Sequence, residues 1–160
     1  MTLLRRVNTV IEKIVDFLCW TVMLALICIV FFQVVNRFAI KVPAAWTEEF
    51  GRYVFVWLSL IGTVKGIKEG AHLNVDVLLA KVSGKTKVLV LLIADILSVL
   101  FFIILGITGW NYAVRNMAVM NDTGQVPMFL VYVAIPICSL LCIPLSLERL
   151  LRVLKEAHQS

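Results

Sequence analysis

The feature that most constrains this chain is an uncharged run of twenty residues, 17–36, which lies between Asp16 and Arg37. An α-helix of that length rises ~30 Å, the thickness of the hydrocarbon core of a bilayer. Residues 88–112 and 123–147 form two more runs long enough to cross, and Asp95 is the one charge inside them. Hydrophobic residues make up 61% of the sequence, whereas a soluble domain contains about half. These blocks predict an all-α integral membrane protein.

Four transmembrane helices are predicted, at about 14–36, 47–68, 88–112 and 127–150, in a single membrane domain that covers residues 1–160. The second helix is unusual because Glu48, Glu49 and Arg52 lie in its first turns. Its uncharged part, residues 53–64, has only twelve residues, a length that is also typical of re-entrant or buried segments. The helix must therefore be judged by topology as well as by hydropathy.

The basic residues favour a crossing by the second helix. Eleven of the fifteen lysine and arginine residues lie before the first helix, between the second and third, or at and after the end of the fourth. They share one side of the membrane only if all four helices cross it. Since cytoplasmic loops are enriched in lysine and arginine, both termini are predicted to be cytoplasmic. The net charge of +5 is explained in the same way, and no nucleic-acid partner is expected.

No metal or cofactor is expected from the sequence. Cys138 and Cys142 are one helical turn apart, but no third ligand is nearby, and His72 and His158 lie outside the predicted spans. The cysteines are better interpreted as small buried apolar residues.

Polar residues at the predicted outer ends of the first two helices indicate a contact surface. Gln33 and Arg37 lie at the end of the first predicted helix, on the same side of the membrane as Glu48 and Glu49 at the start of the second. Both glutamates are expected to pair locally with Arg52. Further along the second helix, small residues lie on about the same face and would allow another helix to pack closely. The alternative is that these groups are solvated interface residues. The predicted subunit contacts are Gln33, Arg37, Trp46, Glu48, Glu49, Arg52, Ser59, Gly62 and Gly66.

Asp95 is the carboxylate predicted to lie within the membrane. Such a group is costly and is a functional candidate by default. Lys65, near the cytoplasmic end of the second helix, is its predicted ion-pair partner. A structural ion pair is favoured over ion translocation, since no second carboxylate accompanies Asp95.

Two prolines predict irregularities in the last helix. Pro136 and Pro144 each remove an N–H and free the carbonyl one turn earlier, at Tyr132 and Leu140. Because no polar cluster surrounds either proline, kinks are favoured over an ion site.

A short amphipathic helix is predicted at about 73–84, in the cytoplasmic loop. Its apolar residues recur with helical spacing, and lysines follow it. Such a helix suits the membrane interface, with lipids as partners; the alternative is a linker helix packed on its neighbours. The apolar positions are Val75, Leu78, Leu79 and Val82.

Several motifs in order carry a resemblance to a known family. They are QVVNR at 33–37, WTEEFGR at 46–52, HLNVDVL at 72–78 and VPMFLVYVAIP at 126–136. This series resembles the small membrane subunit, the DctQ-like or Q-type subunit, of tripartite ATP-independent periplasmic (TRAP) transporters. The resemblance implies a non-enzymatic protein of the bacterial inner membrane. It also implies a large multi-spanning transport subunit and a periplasmic substrate-binding protein as partners.

In such systems an ion gradient, often of sodium, drives uptake of an organic acid such as a C4-dicarboxylate or a sialic acid. The small subunit is expected to act as a scaffold and to help dock the binding protein. The main alternative is a small homo-oligomeric transporter that uses Asp95 as its coupling acid. A haem or quinone anchor is a third possibility, but it would need histidines within the spans.

Overall fold

The computed structural model describes residues 2–40, 45–68, 85–124 and 126–159. The helices are α1 (Thr2–Val35), continued by a π-helical turn (Asn36–Ile40), α2 (Ala45–Lys68), α3 (Lys85–Arg115), a short α4 (Phe129–Tyr132) and α5 (Ala134–Gln159). In this part of the chain the β pairing is limited to an isolated bridge between Met120 and Pro127. The all-α prediction is confirmed.

Contacts at both of their ends show that α1 and α2 run antiparallel. The Gln33 side chain, near the end of α1, donates a hydrogen bond to the backbone oxygen of Thr47 at the start of α2. Lys65, near the end of α2, pairs with Asp16 in the first half of α1. The chain therefore turns back after the π-helical turn and retraces the length of α1.

The helices α3 and α5 also run antiparallel. Gly109, late in α3, packs against Ile135 at the start of α5, and Asp95, early in α3, pairs with Arg149 late in α5. Because Asn8 of α1 also bonds to the later part of α5, the start of α1 and the end of α5 lie at one end of the bundle. We call this the terminal end, and the opposite end the loop end.

Three helices in the described ranges are long and apolar enough to cross a membrane: Arg6–Ile40, Thr86–Arg115 and Phe129–Lys155. The helix α2 forms at the predicted place but is not among them. Charged residues near both of its ends, including Arg52 and Lys65, leave only a short uncharged segment between them. Length and composition therefore support three of the four predicted spans.

The predicted last helix is interrupted near its start. Helix α4 ends at Tyr132, Val133 separates it from α5, and Pro136 follows in the first turn of α5. Since Pro136 has no N–H to donate to the carbonyl of Tyr132, a break one turn before it is the expected consequence. Pro144 lies inside α5 without interrupting it.

The apolar core is drawn from all four long helices. Apolar side chains of α1, α2, α3 and α5 pack together in it. Cys138 and Cys142 are among them, as predicted for small apolar residues. Cys19 is half-buried, and Cys28 is exposed. The buried core residues are Val15, Ile61, Val64, Ile67, Phe102, Cys138, Cys142 and Leu145.

Candidate functional site

A buried carboxylate, that of Glu49, organises the loop end of the bundle. Its Oε2 atom accepts hydrogen bonds from Asn121 Nδ2 at 2.5 Å and from Thr123 Oγ1 at 2.7 Å. The Asn121 amide also donates to the Thr123 hydroxyl at 2.7 Å. These three side chains therefore join the first turn of α2 to the connection between α3 and α4.

Asn121 is fixed by its own backbone surroundings. Its N–H donates to the oxygen of Val126 at 2.9 Å, and its Oδ1 accepts from the N–H of Val126 at 2.9 Å. Gly124 has a φ of +69°, which the turn requires and which glycine adopts at little cost. We call residues 119–124 and 126–128 the loop-end turn.

The sequence predictions did not include the loop-end turn. The tetrapeptide NDTG at 121–124 is rich in turn-forming residues and is the signal that could have indicated it. Nothing in that tetrapeptide, however, identifies Glu49 as the acceptor, because the two segments are far apart in sequence. Their meeting depends on how the helices pack.

Gln33 joins α1 to α2 at the same end. Its Nε2 atom donates to the backbone oxygen of Thr47 at 2.5 Å. A Cβ atom on Gly51 would lie 2.9 Å from that nitrogen, so glycine leaves the space that the amide occupies. Asn36, one turn further along the chain, is also buried.

The other charged residues of the predicted contact surface point outward. Arg37, Glu48 and Arg52 are exposed. The structure describes Arg52 and both glutamates, and it contains no ion pair among these three residues. Trp46 is half-exposed and packs beside the ring of Phe50, with a centroid distance of 6.1 Å. The predicted local pairing of Arg52 is therefore not observed.

Asp95 forms an ion pair with a partner that differs from the prediction. Arg149 Nε lies 3.2 Å from Asp95 Oδ1, and the carboxylate side chain is only 2% exposed. Lys65 Nζ lies instead 3.2 Å from Asp16 Oδ1 at a half-exposed site. The structure therefore pairs Asp95 with Arg149 where the sequence predicted Lys65, because α3 packs mainly on α5, which carries Arg149, whereas α2 packs mainly on α1.

A second polar contact at the terminal end joins α1 to α5. Asn8 is buried, and its Nδ2 atom donates to the backbone oxygen of Pro144 at 3.2 Å and to the carboxylate of Glu148. Glu148 also pairs with Arg152 at 2.6 Å. The terminal end is thus held by charged and amide groups, as the loop end is.

The remaining residues of the predicted surface lie on the side of α2 that faces away from the bundle. Ser59, Gly62 and Thr63 are exposed, and Gly66 is half-buried. A Cβ atom added to Gly62 or Gly66 would meet nothing within 4 Å. With Glu48, Arg52 and Phe55, these residues occupy about a third of the helix circumference. We call this set the outward face of α2.

The predicted interfacial helix, with Val75, Leu78, Leu79 and Val82, lies outside the described residues. Within the described ranges, no three histidine, cysteine, aspartate or glutamate side chains converge as a metal site would require. The two carboxylates that are buried among the described residues are held by groups of this chain, Glu49 by neutral donors and Asp95 by a guanidinium. These contacts link helices and the loop-end turn to one another.

Comparison with known families identifies the chain. Residues 26–156 match the family model described as tripartite ATP-independent periplasmic transporters, DctQ component. A TRAP transporter small permease protein of Haemophilus influenzae is 26% identical over 149 residues, which are 93% of this chain and 92% of that protein.

Two relatives from Vibrio cholerae have substrates in their names. The sialic acid TRAP transporter small permease protein SiaQ is 29% identical over 71% of this chain and 65% of its own length. The C4-dicarboxylate TRAP transporter small permease protein DctQ is 31% identical over 67% of this chain and 46% of its own length. Because the family model covers most of the chain, this multi-pass membrane protein belongs to the DctQ family of small permease subunits of TRAP transporters.

Proposed function

We propose that this chain is the non-transporting membrane subunit that braces the large transport subunit of a TRAP transporter. The observation that carries the proposal is a contrast between exposed helix faces. The helices α1 and α3 expose large apolar side chains, such as Leu24 and Ile107, which suit lipid chains. Apart from Phe55, the outward face of α2 exposes small, polar and charged groups instead, and small residues let the backbone of another helix approach closely. A helix of the large subunit fits this face better than lipid does.

The same proposal includes a crossing of the membrane by α2. The helix α1 runs from the terminal end to the loop end, and α3 begins at the terminal end. The chain between them, which contains α2, must therefore run back from the loop end to the terminal end. Cover by a partner helix reduces the cost of the short uncharged segment of α2. The distribution of basic residues favours a cytoplasmic location for the terminal end, in the bacterial inner membrane.

The partners and the transported compound are part of the proposal. The large multi-spanning permease would carry the substrate, and a periplasmic binding protein would deliver it at the loop end. The names of the relatives support an organic acid, such as sialic acid or a C4-dicarboxylate. Uptake would be driven by an ion gradient, with sodium as the expected ion.

The pairing of Asp95 with Arg149 bears on the alternative in which this chain is itself an ion-coupled transporter. A coupling acid must change its protonation or its partner during a cycle, whereas Asp95 is buried against a guanidinium. This geometry supports a structural role for the carboxylate.

Reconstitution in proteoliposomes tests the proposal. Uptake of labelled sialic acid and C4-dicarboxylates would be measured with this chain alone, and with its large permease and binding protein under a sodium gradient. We expect uptake only from the three-part system. Uptake by the isolated chain that is abolished by Asp95→Asn would overturn the bracing role.

A further inference from the structure

The first turns of α1 present an unusual distribution of side chains. Asn8 and Val15 are almost fully buried on the side that faces the bundle, at 1% and 4% exposure. On the opposite side, four apolar side chains are between 44% and 70% exposed. At 3.6 residues per turn, these four lie within about a quarter of the helix circumference. They are Val7, Val10, Ile14 and Phe17.

Two cations border this apolar strip. Arg6 and Lys13 are exposed, and because they are seven residues apart, they lie on the same side of the helix, separated by ~10 Å along its axis. The acidic residues of the same turns are placed differently: Glu12 is half-buried, and Asp16 pairs with Lys65 of α2. The exposed surface is therefore apolar and cationic. We call Arg6, Val7, Val10, Lys13, Ile14 and Phe17 the α1 amphipathic face.

Helix length places this face at the edge of the membrane. The helix α1 has 34 residues and so rises ~50 Å, well beyond a hydrocarbon core of ~30 Å. The uncharged run at 17–36 is long enough to fill the core by itself. Phe17 then lies at the boundary of the acyl chains, Ile14 and Lys13 lie at the headgroup level, and Val10, Val7 and Arg6 continue toward the aqueous side.

We propose that the α1 amphipathic face is a binding site for anionic phospholipid. The phosphodiester headgroups would contact Lys13, with Arg6 on their outer side. The upper acyl chains would cover Phe17 and Ile14, and Val10 and Val7 would lie beside and beyond the headgroups. Charge complementarity argues for an anionic lipid, since clustered basic residues attract anionic headgroups. Continuity argues for lipid over another subunit, because the apolar strip runs directly into the lipid-facing surface of the same helix, at Phe17 and Leu24.

Lipid retention by the purified full-length chain tests the site. Native mass spectrometry would count the lipids kept by the protein in mixed micelles with phosphatidylglycerol, with phosphatidylcholine, or with free glycerol 3-phosphate. We expect preferential retention of phosphatidylglycerol and no binding of glycerol phosphate. Replacing one cation, by Arg6→Gln or Lys13→Gln, should weaken the preference roughly fivefold, and the double substitution more.

Controls separate local binding from net charge and from misfolding. Arg115→Gln removes an exposed cation at the loop end and should leave the preference unchanged, while Arg6→Lys should preserve it. Equal retention of both lipids by the unaltered chain would overturn the proposal. An equal loss in Arg115→Gln, or binding of glycerol phosphate as tight as that of the lipid, would also overturn it.

Discussion

At the scale of single residues, the adjacent glutamates of α2 show how helix geometry separates two roles. Glu49 is buried and accepts two hydrogen bonds from the loop-end turn, whereas Glu48 is exposed on the outward face of α2. Neighbouring helical residues point about 100° apart, so two like charges serve different surfaces. The first position holds the subunit together, and the second is available to a partner.

Substitution of these two glutamates should therefore have different effects. Glu49→Ala removes one acceptor from the buried Asn121 amide and from the half-buried Thr123 hydroxyl, which should lower the free energy of unfolding by about 1–3 kcal/mol. Glu48→Ala should change it by less than about 0.5 kcal/mol. Thermal unfolding of the detergent-solubilised chain provides the measurement. Equal shifts for the two variants would mean that Glu49 does not anchor the loop-end turn.

The buried Asp95 and its partly buried partner Arg149 should behave as a unit. Asp95→Ala leaves the partly buried Arg149 guanidinium without its counter-ion and should cost up to about 3–5 kcal/mol. The double substitution Asp95→Leu with Arg149→Met replaces the pair with apolar groups and should be less harmful than Asp95→Ala. A double-mutant cycle in denaturant measures this coupling. If the effects of Asp95→Leu and Arg149→Met on the free energy of unfolding were strictly additive, the ion pair would not be the main role of Asp95.

At the scale of helices, two pairs of glycines serve opposite purposes. A Cβ on Gly109 of α3 would lie 2.7 Å from Ile135 Cγ2 and 3.3 Å from Pro136 Cδ, so this glycine permits close packing of α3 on α5. Gly62 and Gly66 of α2 have nothing within 4 Å of the same position. The first pair, Gly106 and Gly109, lies against α5, and the second has open space beside it, where the proposed partner helix would pack.

Alanine substitution distinguishes the two glycine pairs. Gly109→Ala should destabilise the isolated chain by about 1–3 kcal/mol because the new methyl group overlaps α5. Gly62→Ala should be neutral or stabilising by up to about 1 kcal/mol, since alanine favours a helix more than glycine does. The midpoints of thermal unfolding decide the matter. A tolerated Gly109→Ala would show that α3 and α5 pack less closely than the structure indicates.

The elements that sequence predicted well are those governed by local hydropathy. The uncharged run at 17–36 correctly indicated α1, and the changes from polar to apolar sequence near residues 47 and 88 correctly indicated α2 and α3. Pro136 indicated the irregular start of the last helix. The partner of Asp95 and the acceptor for the loop-end turn were not predictable in this way. Both depend on which helices pack together, and Lys65 and Arg149 are equally plausible partners until that packing is known.

At the scale of the whole molecule, the fold is a bundle tied at both ends by polar contacts between distant segments. Asn8 joins the start of α1 to Pro144 and Glu148 of α5 at the terminal end, and Glu49 joins α2 to the loop-end turn. Apolar packing lies between these ends. A framework tied at both ends can hold one surface in a fixed position, as the proposed bracing role requires.

The proposed topology can be tested with terminal tags. If α2 crosses the membrane and the terminal end is cytoplasmic, tags at both termini should be protected from protease in intact spheroplasts and cleaved after lysis. A tag inserted next to Asp122, which is exposed in the loop-end turn, should be cleaved in intact spheroplasts. Cleavage of one terminal tag but not the other before lysis would require a different number of crossings, and cleavage of both would reverse the orientation.

The central claim, that the outward face of α2 binds the large permease subunit, is tested most directly by adding bulk to that face. Gly62→Leu with Gly66→Leu places two large side chains where the backbone is open, and Ala25→Leu adds the same kind of side chain on the exposed, lipid-facing surface of α1. Co-purification with the tagged large subunit would be measured for both, alongside the thermal stability of each isolated chain. We predict at least a tenfold loss of complex for the α2 variant, no loss for Ala25→Leu, and unchanged stability of both chains. Full recovery of the complex with the α2 variant, or a loss confined to Ala25→Leu, would contradict the claim.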